Sequence, residues 1–89
     1  MTRREVIIRN RLGLHARAAA RFVHAASRFR SRVTLSGSGR TMDGKSILGI
    51  LLLAASQGSL LEVGAEGEDE AEAVETLAAL VEGGFGEES

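Results

Sequence analysis

The chain has 89 residues, no cysteine, and a formal net charge of −1 at pH 7. This length suits one small domain with a two-layer core, and the lack of cysteine excludes disulfides and thiolate metal sites. The charge is divided along the chain. Residues 1–46 carry all 11 basic residues and two acids, for +9, whereas residues 47–89 carry ten acids and no base, for −10. Such a division predicts a positive face directed at an acidic partner or at phosphates.

Two further classes of protein are disfavoured by the sequence. The N-terminal MTRREVIIRN lacks the apolar segment of a signal peptide, and the longest apolar run, at residues 47–55, is shorter than the roughly 20 residues that span a bilayer. We therefore expect a cytoplasmic protein without membrane insertion. Two histidines, His15 and His24, are too few for a histidine metal cage, and we expect neither a metal nor a cofactor. Mixed carboxylate sites are not excluded by counting alone.

The first half of the chain predicts a strand, a helix and a hairpin. EVIIR at residues 5–9 is a short β-rich run with Val6 and Ile8 on one face. RVTLS at residues 32–36, the turn SGSG at 36–39 and the returning RTM predict a hairpin. From Ala18 onward, a helix is indicated by one apolar stripe and one basic face. The stripe contains Ala18, Phe22, Ala25, Ala26 and Phe29, and the basic face Arg17, Arg21, His24 and Arg28.

The second half predicts a helix, a strand and a last helix. Ser46 is placed to cap a helix over residues 47–55, which Gly58 closes, and LLEVGAE at residues 60–66 predicts the fourth strand. Asp69 and Glu72 fit a capping box for the last helix. The core stripe of that helix contains Val74, Leu77, Ala78 and Val81, and Gly83 and Gly84 end it. The order βαββαβα, without a linker, predicts a single α+β domain over residues 1–89 with an antiparallel sheet covered on one face.

The helix predicted at residues 47–55 has apolar residues on all sides. An open-faced sheet covers only one side, to which we assign Ile50, Leu53 and Ala54. An exposed aliphatic patch usually marks a binding surface. The patch predicted here contains Ile47, Leu48, Leu51 and Leu52. The alternative is that the helix boundary differs and that these side chains are partly covered.

Residues 39–46, GRTMDGKS, match the phosphate-binding loop pattern G-x-x-x-x-G-K-[ST]. That loop requires a preceding strand, a following helix and a parallel sheet built from several crossover units. The match instead lies across the predicted hairpin turn and its return strand, in a chain too short for such a sheet. A nucleotide-binding module is therefore a remote alternative.

The segment NRLGLHARAAARF at residues 10–22 carries the candidate chemistry. His15 lies at the start of the basic helix, where the first backbone N–H groups lack partners within the helix and the helix dipole favours an anion. A phosphate on His15 is expected to accept hydrogen bonds from the N–H groups of Ala16 and Arg17, with the Arg17 guanidinium adding charge. The same positive field favours a neutral, nucleophilic ring. The alternative is a simple exposed histidine.

Two motifs resemble the HPr family of histidine phosphocarriers of the bacterial phosphoenolpyruvate-dependent phosphotransferase system. GLHARAAA resembles the active-site signature of that family, with Ala18 where proline is commoner, and KSILGILLL, beginning at Lys45, resembles a second motif. The resemblance covers essentially the whole chain. It implies an open-faced β-sandwich with a four-stranded antiparallel sheet of order 1-4-2-3 and three helices on one face.

The resemblance also implies roles for individual residues. His15 would accept a phosphoryl group on Nδ1 from Enzyme I and pass it to a IIA protein or domain, and Arg17 would steady that group. Ser46 would be the regulatory site of HPr kinase/phosphorylase where that enzyme is present. The protein would be a monomeric phosphoryl-transfer intermediate rather than a stand-alone enzyme. The partner-binding residues implied are Ala16, Arg17, Ala20, His24, Ile47, Leu48, Leu51 and Leu52.

Two alternatives to this function stay open. Within the family, the closing GGFGEE and the LLLAAS stretch also resemble nitrogen-branch or purely regulatory paralogues that are not coupled to sugar uptake. Outside the family, Arg17, Arg21 and Arg28 suggest a nucleic-acid-binding module. With no Tyr or Trp, three Phe and an acidic second half, that alternative is weak, and we expect no nucleic-acid partner.

Overall fold

The computed structural model describes residues 1–87, which form one four-stranded antiparallel sheet in the order β1-β4-β2-β3. This confirms the predicted element order, sheet and fold class. The elements are β1 (Thr2–Ile7), α1 (Ala16–Ala26), β2 (Arg32–Gly37), β3 (Arg40–Asp43), α2 (Ile47–Leu51), β4 (Leu60–Glu66) and α3 (Glu70–Glu82), followed by a 3-10 turn at Gly84–Gly86.

The sheet buries alternate side chains against the helices, as the period-2 pattern of its strands requires. In β4, which lies between β1 and β2, Leu61, Val63 and Ala65 are buried. The β2–β3 hairpin turns at Ser38 and Gly39, whose φ angles of 52° and 78° are both left-handed, as a tight two-residue hairpin turn requires.

The core stripes of α1 and α3 are largely as predicted. Val74, Leu77, Ala78 and Val81 of α3 are all buried. Helix α1 buries Ala18, Phe22 and Ala26 but also Ala19, while Ala25 is only partly buried. Phe29 lies beyond the end of α1 and is half-buried against the core.

Helix α2 is shorter than predicted. It ends at Leu51, and the chain continues in single turns in which Leu53 N donates to Ile50 O and Ala54 N donates to Leu51 O. The φ angle of Ala54 is +48°, a left-handed conformation that stops a helix. The assignment of Ala54 to the sheet-facing side was wrong, because that residue is exposed. Gly58 lies beyond α2, before β4, and its N–H donates to Ile8 O at 2.8 Å.

The predicted capping box of α3 was also wrong. Asp69 is the N-cap residue, but its carboxylate makes no hydrogen bond to the helix. It instead accepts from the backbone N–H groups of Arg30 and Ser31, both at 2.9 Å, and from the Ser31 hydroxyl at 2.5 Å. Glu70, rather than Glu72, reaches back and accepts from Gly67 N at 3.2 Å. A contact between distant segments therefore replaces the local cap.

The fold mixes the two oppositely charged halves of the sequence. Strand β4 of the acidic half lies between β1 and β2 of the basic half. Ion pairs join Arg3 to Glu62, Arg30 to Glu68, and Arg9 to Glu82, the last at 3.2 Å. Part of the positive charge is thus balanced within the fold. Arginines stay exposed on α1 and just after it, at Arg17, Arg21 and Arg28, but also on the strands, at Arg4, Arg32 and Arg40, so the fold does not gather the positive charge onto one helix.

Candidate functional site

His15 forms the N-cap of α1 and caps the helix with its own ring. Its backbone is extended, with φ −80° and ψ 179°, and its carbonyl accepts from Ala19 N at 2.9 Å. The ring nitrogen Nδ1 accepts from the backbone N–H of Arg17 at 3.2 Å. Nδ1 is therefore the ring nitrogen that faces the first N–H groups of the helix, through its contact with Arg17.

The loop before α1 holds His15 in place. Gly13 has φ +70°, its N–H donates to Asn10 O at 3.1 Å, and its carbonyl accepts from His15 N at 3.0 Å. A Cβ at Gly13 would lie 2.6 Å from Ala55 O, so only glycine fits both the conformation and the space. Leu14 N donates to that same Ala55 O at 2.9 Å, which ties the loop to the segment after α2.

A carboxylate from the end of the chain contacts the other ring nitrogen. Glu87 Oε2 lies 2.5 Å from His15 Nε2, and Glu87 Oε1 accepts from Asn10 Nδ2 at 2.8 Å. The Asn10 side-chain amide also donates to Gly13 O at 2.7 Å. The Asn10 hydrogen bond, with a further contribution from the His15 bond, outweighs the opposing effect of burial and lowers the pKa of Glu87. Glu87 is therefore an ionised acceptor at neutral pH.

The segment after α3 turns back to bring Glu87 to this position. Gly84, Phe85 and Gly86 all have positive φ angles, of 70°, 58° and 78°. A left-handed conformation is unfavourable for phenylalanine, but the Phe85 side chain is buried in the core, which offsets that cost. The Arg21 guanidinium donates to the Phe85 carbonyl. The buried ring and the arginine together fix the path of the segment.

The basic face of α1 borders the histidine. Arg17, Arg21, His24 and Arg28 line an open groove between α1 and α3, with Ala79 and Leu80 among the residues on its α3 side. Arg17 and His24 are exposed, as is Ala16, and Ala20 is half-buried. The predicted α1 members of the partner surface therefore share one side of the helix with His15.

The apolar patch of α2 is largely exposed as predicted. Ile47 is 42%, Leu48 69% and Leu52 53% exposed, whereas Ile50 is fully buried. Leu51 is half-buried against the core, so its part in an exposed patch is smaller than predicted. Helices α1 and α2 pack against each other, so the patch lies on the neighbour of the helix that carries His15.

Ser46 caps α2, and residues 39–46 form no phosphate cradle. The Ser46 hydroxyl accepts from Gly49 N at 3.0 Å. Residues 40–43 are strand β3, Gly44 N donates to Val33 O, and the Lys45 ammonium donates to Phe29 O at 2.8 Å. To bind a phosphate, the Lys45 ammonium would have to break its hydrogen bond to the Phe29 carbonyl. The geometry of this segment contradicts a nucleotide site.

Sequence reasoning missed three residues at the site. Asn10 and Glu87 contact the histidine loop or ring, and Leu12 is 70% exposed in the turn before His15. A phenylalanine between glycines after the last helix was a signal that the segment packs back onto the domain. The residue that such packing would place beside the ring could not be read from that signal.

Neither a metal group nor a membrane-crossing helix is found in the part of the chain that the structure describes. No three His, Asp or Glu side chains among residues 1–87 gather closely enough to hold a metal ion. None of the helices in that range is both long and apolar enough to cross a membrane.

The fold and site define a small open-faced sandwich that presents a histidine at a helix N-terminus. A family model described as the phosphorylation site of the PTS HPr component matches residues 2–83. Phosphocarrier protein HPr of Xylella fastidiosa (strain 9a5c) is 48% identical over 89 residues, which cover 100% of both chains. HPr-like protein Crh of Bacillus subtilis (strain 168) is 46% identical, over 92% of this chain and 96% of Crh.

A solved structure agrees with these sequence relatives. The crystal structure of HPr-C-His from Thermoanaerobacter tengcongensis matches with a TM-score of 0.94 and 44% identity, over 100% of both chains. The chain therefore belongs to the HPr family of the phosphotransferase system.

Proposed function

We propose that this protein carries a phosphoryl group on Nδ1 of His15, accepting it from phosphorylated Enzyme I and passing it to a IIA protein or domain. The observation that carries the proposal is the orientation of the ring. Nδ1 faces the N-terminus of α1 and accepts from Arg17 N, so a group on Nδ1 would lie where backbone donors and the helix dipole favour negative charge.

The site would supply the phosphoryl group with hydrogen-bond donors and positive charge in place of water. In the unphosphorylated protein the Arg17 N–H donates to Nδ1. Once Nδ1 is bonded to phosphorus, that N–H is available to donate to a phosphate oxygen. Arg17 is exposed in the first turn of α1, so its guanidinium would add positive charge beside the group. No metal ion is required for this stabilisation, because helix and arginine supply the charge.

The surface around His15 fits partners with an acidic rim and an apolar centre. The basic face of α1 contributes Arg17 and His24, and the patch of α2 contributes exposed leucine and isoleucine side chains. Basic groups at the rim would steer association with an acidic partner, and the apolar residues would supply affinity. We expect the carrier to act as a monomer, because this surface must be free for each partner in turn.

Ser46 is the proposed regulatory phosphorylation site. Its hydroxyl caps α2 immediately before Ile47 and Leu48, which are exposed residues of the partner surface. A phosphate there would be favoured by the helix dipole, so the fold need not change. It would add about −1.5 to −2 charges beside the docking surface and repel an acidic partner.

The test is transfer from Enzyme I and labelled phosphoenolpyruvate, comparing wild type with His15→Ala and His24→Ala. The expected label is acid-labile and base-stable, is lost in His15→Ala, and persists in His24→Ala. The two substitutions are matched because both remove a histidine from α1 or its cap. A label that remained in His15→Ala would contradict the assignment of the acceptor.

A second candidate, a purely regulatory carrier, is suggested by the 46% identity to Crh of Bacillus subtilis, which is described as a catabolite repression HPr. Both candidates predict a label on His15. They differ in the next step, because only a carrier coupled to sugar uptake would pass the label rapidly to a sugar-specific IIA protein.

A further inference from the structure

We propose that Glu87 is a positioning residue for transfer at His15: it holds the proton on Nε2, leaves the Nδ1 lone pair available, and pairs with the positive charge that the ring gains. This inference rests on the proposed function. It concerns a residue outside both motifs of the family resemblance.

The Glu87 carboxylate is oriented by contacts of its own. Asn10 Nδ2 donates both to Gly13 O at 2.7 Å and to Glu87 Oε1 at 2.8 Å. The opposite orientation of the amide would set its oxygen against two acceptors, so these partners determine which way Asn10 points. With Oε1 held by Asn10, Oε2 is directed at His15 Nε2. The Glu87 side chain is only 12% exposed, so water competes little for it.

The two neighbours of the ring allow one neutral tautomer. Nε2 faces a carboxylate oxygen at 2.5 Å and must donate, while Nδ1 faces the Arg17 N–H at 3.2 Å and must accept. The tautomer with its proton on Nδ1 would set two donors together at one nitrogen and two acceptors at the other. The ring therefore carries its lone pair on Nδ1.

The transfer step then needs no proton movement on this chain. The Nδ1 lone pair forms the bond to phosphorus, the bond from phosphorus to the donor breaks, and that electron pair leaves with the donor. Nε2 keeps its proton, so the phosphorylated ring becomes formally cationic. The carboxylate on Nε2 interacts more strongly with this cationic ring than with the neutral one, and such a differential interaction raises the rate.

The carboxylate does not block the attacking atom, because it occupies Nε2 while Nδ1 faces the helix. This arrangement parallels the acid that orients the histidine of hydrolase triads, although here the histidine is the nucleophile. A glutamine at position 87 would keep the size of the side chain but would offer one acceptor where Asn10 and His15 require two.

The experiment compares wild type, Glu87→Gln and a matched control, Glu75→Gln, which removes the same charge from the exposed side of α3. Phosphoramidate serves as a small donor that needs no protein docking. Its phosphorus–nitrogen bond breaks and ammonia leaves. Enzyme I with phosphoenolpyruvate serves as the protein donor.

For Glu87→Gln we expect phosphorylation of His15 to slow about tenfold with phosphoramidate. This is the low end for losing a hydrogen bond to a charged group, because the ring is partly open to water. With Enzyme I, kcat should fall by a similar factor while KM changes little, and Glu75→Gln should match wild type. ¹⁵N-histidine NMR should show a hydrogen-bonded Nε2–H in wild type that exchanges faster with water in Glu87→Gln.

The outcomes distinguish a failure of the role proposed for Glu87 from a failure of the proposed carrier function. If wild type is labelled on His15 but Glu87→Gln reacts as fast or faster with phosphoramidate, the inference is overturned and the carrier function stands. If the effect appears only in KM with Enzyme I, Glu87 contributes to docking and the inference also fails. If wild type is not labelled on His15 by Enzyme I, the proposed function itself is wrong.

Discussion

Replacing Leu48 by alanine separates partner binding from folding within a single short helix. Leu48 is 69% exposed on α2, whereas Ile50, two residues further along, is fully buried in the core. If the α2 patch is a docking surface, truncating Leu48 should weaken association with Enzyme I and with a IIA protein. Truncating Ile50 should instead lower the stability of the domain.

The magnitudes follow from these exposures. Burying a leucine side chain completely contributes about 1.5–3 kcal/mol, so covering the exposed two-thirds on docking contributes about 1–2 kcal/mol. Leu48→Ala should therefore raise Kd about 5- to 30-fold. Its cost in stability should stay below about 1 kcal/mol, partly offset by the helix propensity of alanine. Ile50→Ala should cost about 2–5 kcal/mol.

The assay combines thermal unfolding with a titration of each variant into Enzyme I. A domain of this size loses about 4–8 °C in Tm per kcal/mol. Leu48→Ala should keep its Tm within a few degrees of wild type and lose affinity, and Ile50→Ala should lose at least about 8 °C. The reasoning would be refuted if Leu48→Ala lowered the Tm as much as Ile50→Ala, or if it left both affinities unchanged.

Three further predictions concern the loop, the caps and the pH dependence of stability. Ser46→Asp should keep the cap on Gly49 N and raise the apparent KM for Enzyme I, with a smaller effect in high salt. Ser46→Ala should cost about 1 kcal/mol in stability, measured by urea unfolding. Gly13→Ala should lower the Tm and slow His15 phosphorylation together, because its Cβ would lie 2.6 Å from Ala55 O, and an unchanged Tm would contradict the close contact. The Ser31 hydroxyl and then the Arg30 N–H lower the pKa of Asp69 from 3.8 to about 2. The stability from this contact should be complete above pH 3.8 and lost as the pH falls through about 2, and Asp69→Asn should remove that pH dependence from Tm curves.

Local patterns in the sequence were sufficient for the element order. Alternation in β4, the stripe of α3 and the turn at Ser38 and Gly39 are each decided by neighbours within a few residues, and all three predictions are confirmed. The cap at Ser46 is equally local and is also confirmed. The sheet order came from the resemblance to the HPr family rather than from these patterns.

Contacts between distant segments account for the errors. Asp69 had the residue type and spacing of a helix cap, but it binds Ser31, which is 38 positions away in the chain. The end of α2 was misplaced because the apolar run continues to Ala55, whereas the helix ends at Leu51 and Ala54, a good helix former, has a φ angle of +48°. Propensity is a weak guide where tertiary contacts compete with it.

The residues of the candidate site also fall into two groups, those close together in sequence and one that is distant. His15 and Arg17 could be proposed from one short motif, since a helix N-terminus and its first residues are close in sequence. Glu87 lies 72 positions from His15 and reaches it only because the chain turns at Phe85. No pattern within the histidine motif encodes that partner.

The most direct test of the central claim is to locate the phosphate on the ring of His15 by ¹⁵N and ³¹P NMR after transfer from Enzyme I. The geometry predicts phosphorus bonded to Nδ1, with a proton retained on Nε2 against Glu87. Phosphate on Nε2, or on His24 or a serine, would contradict the account.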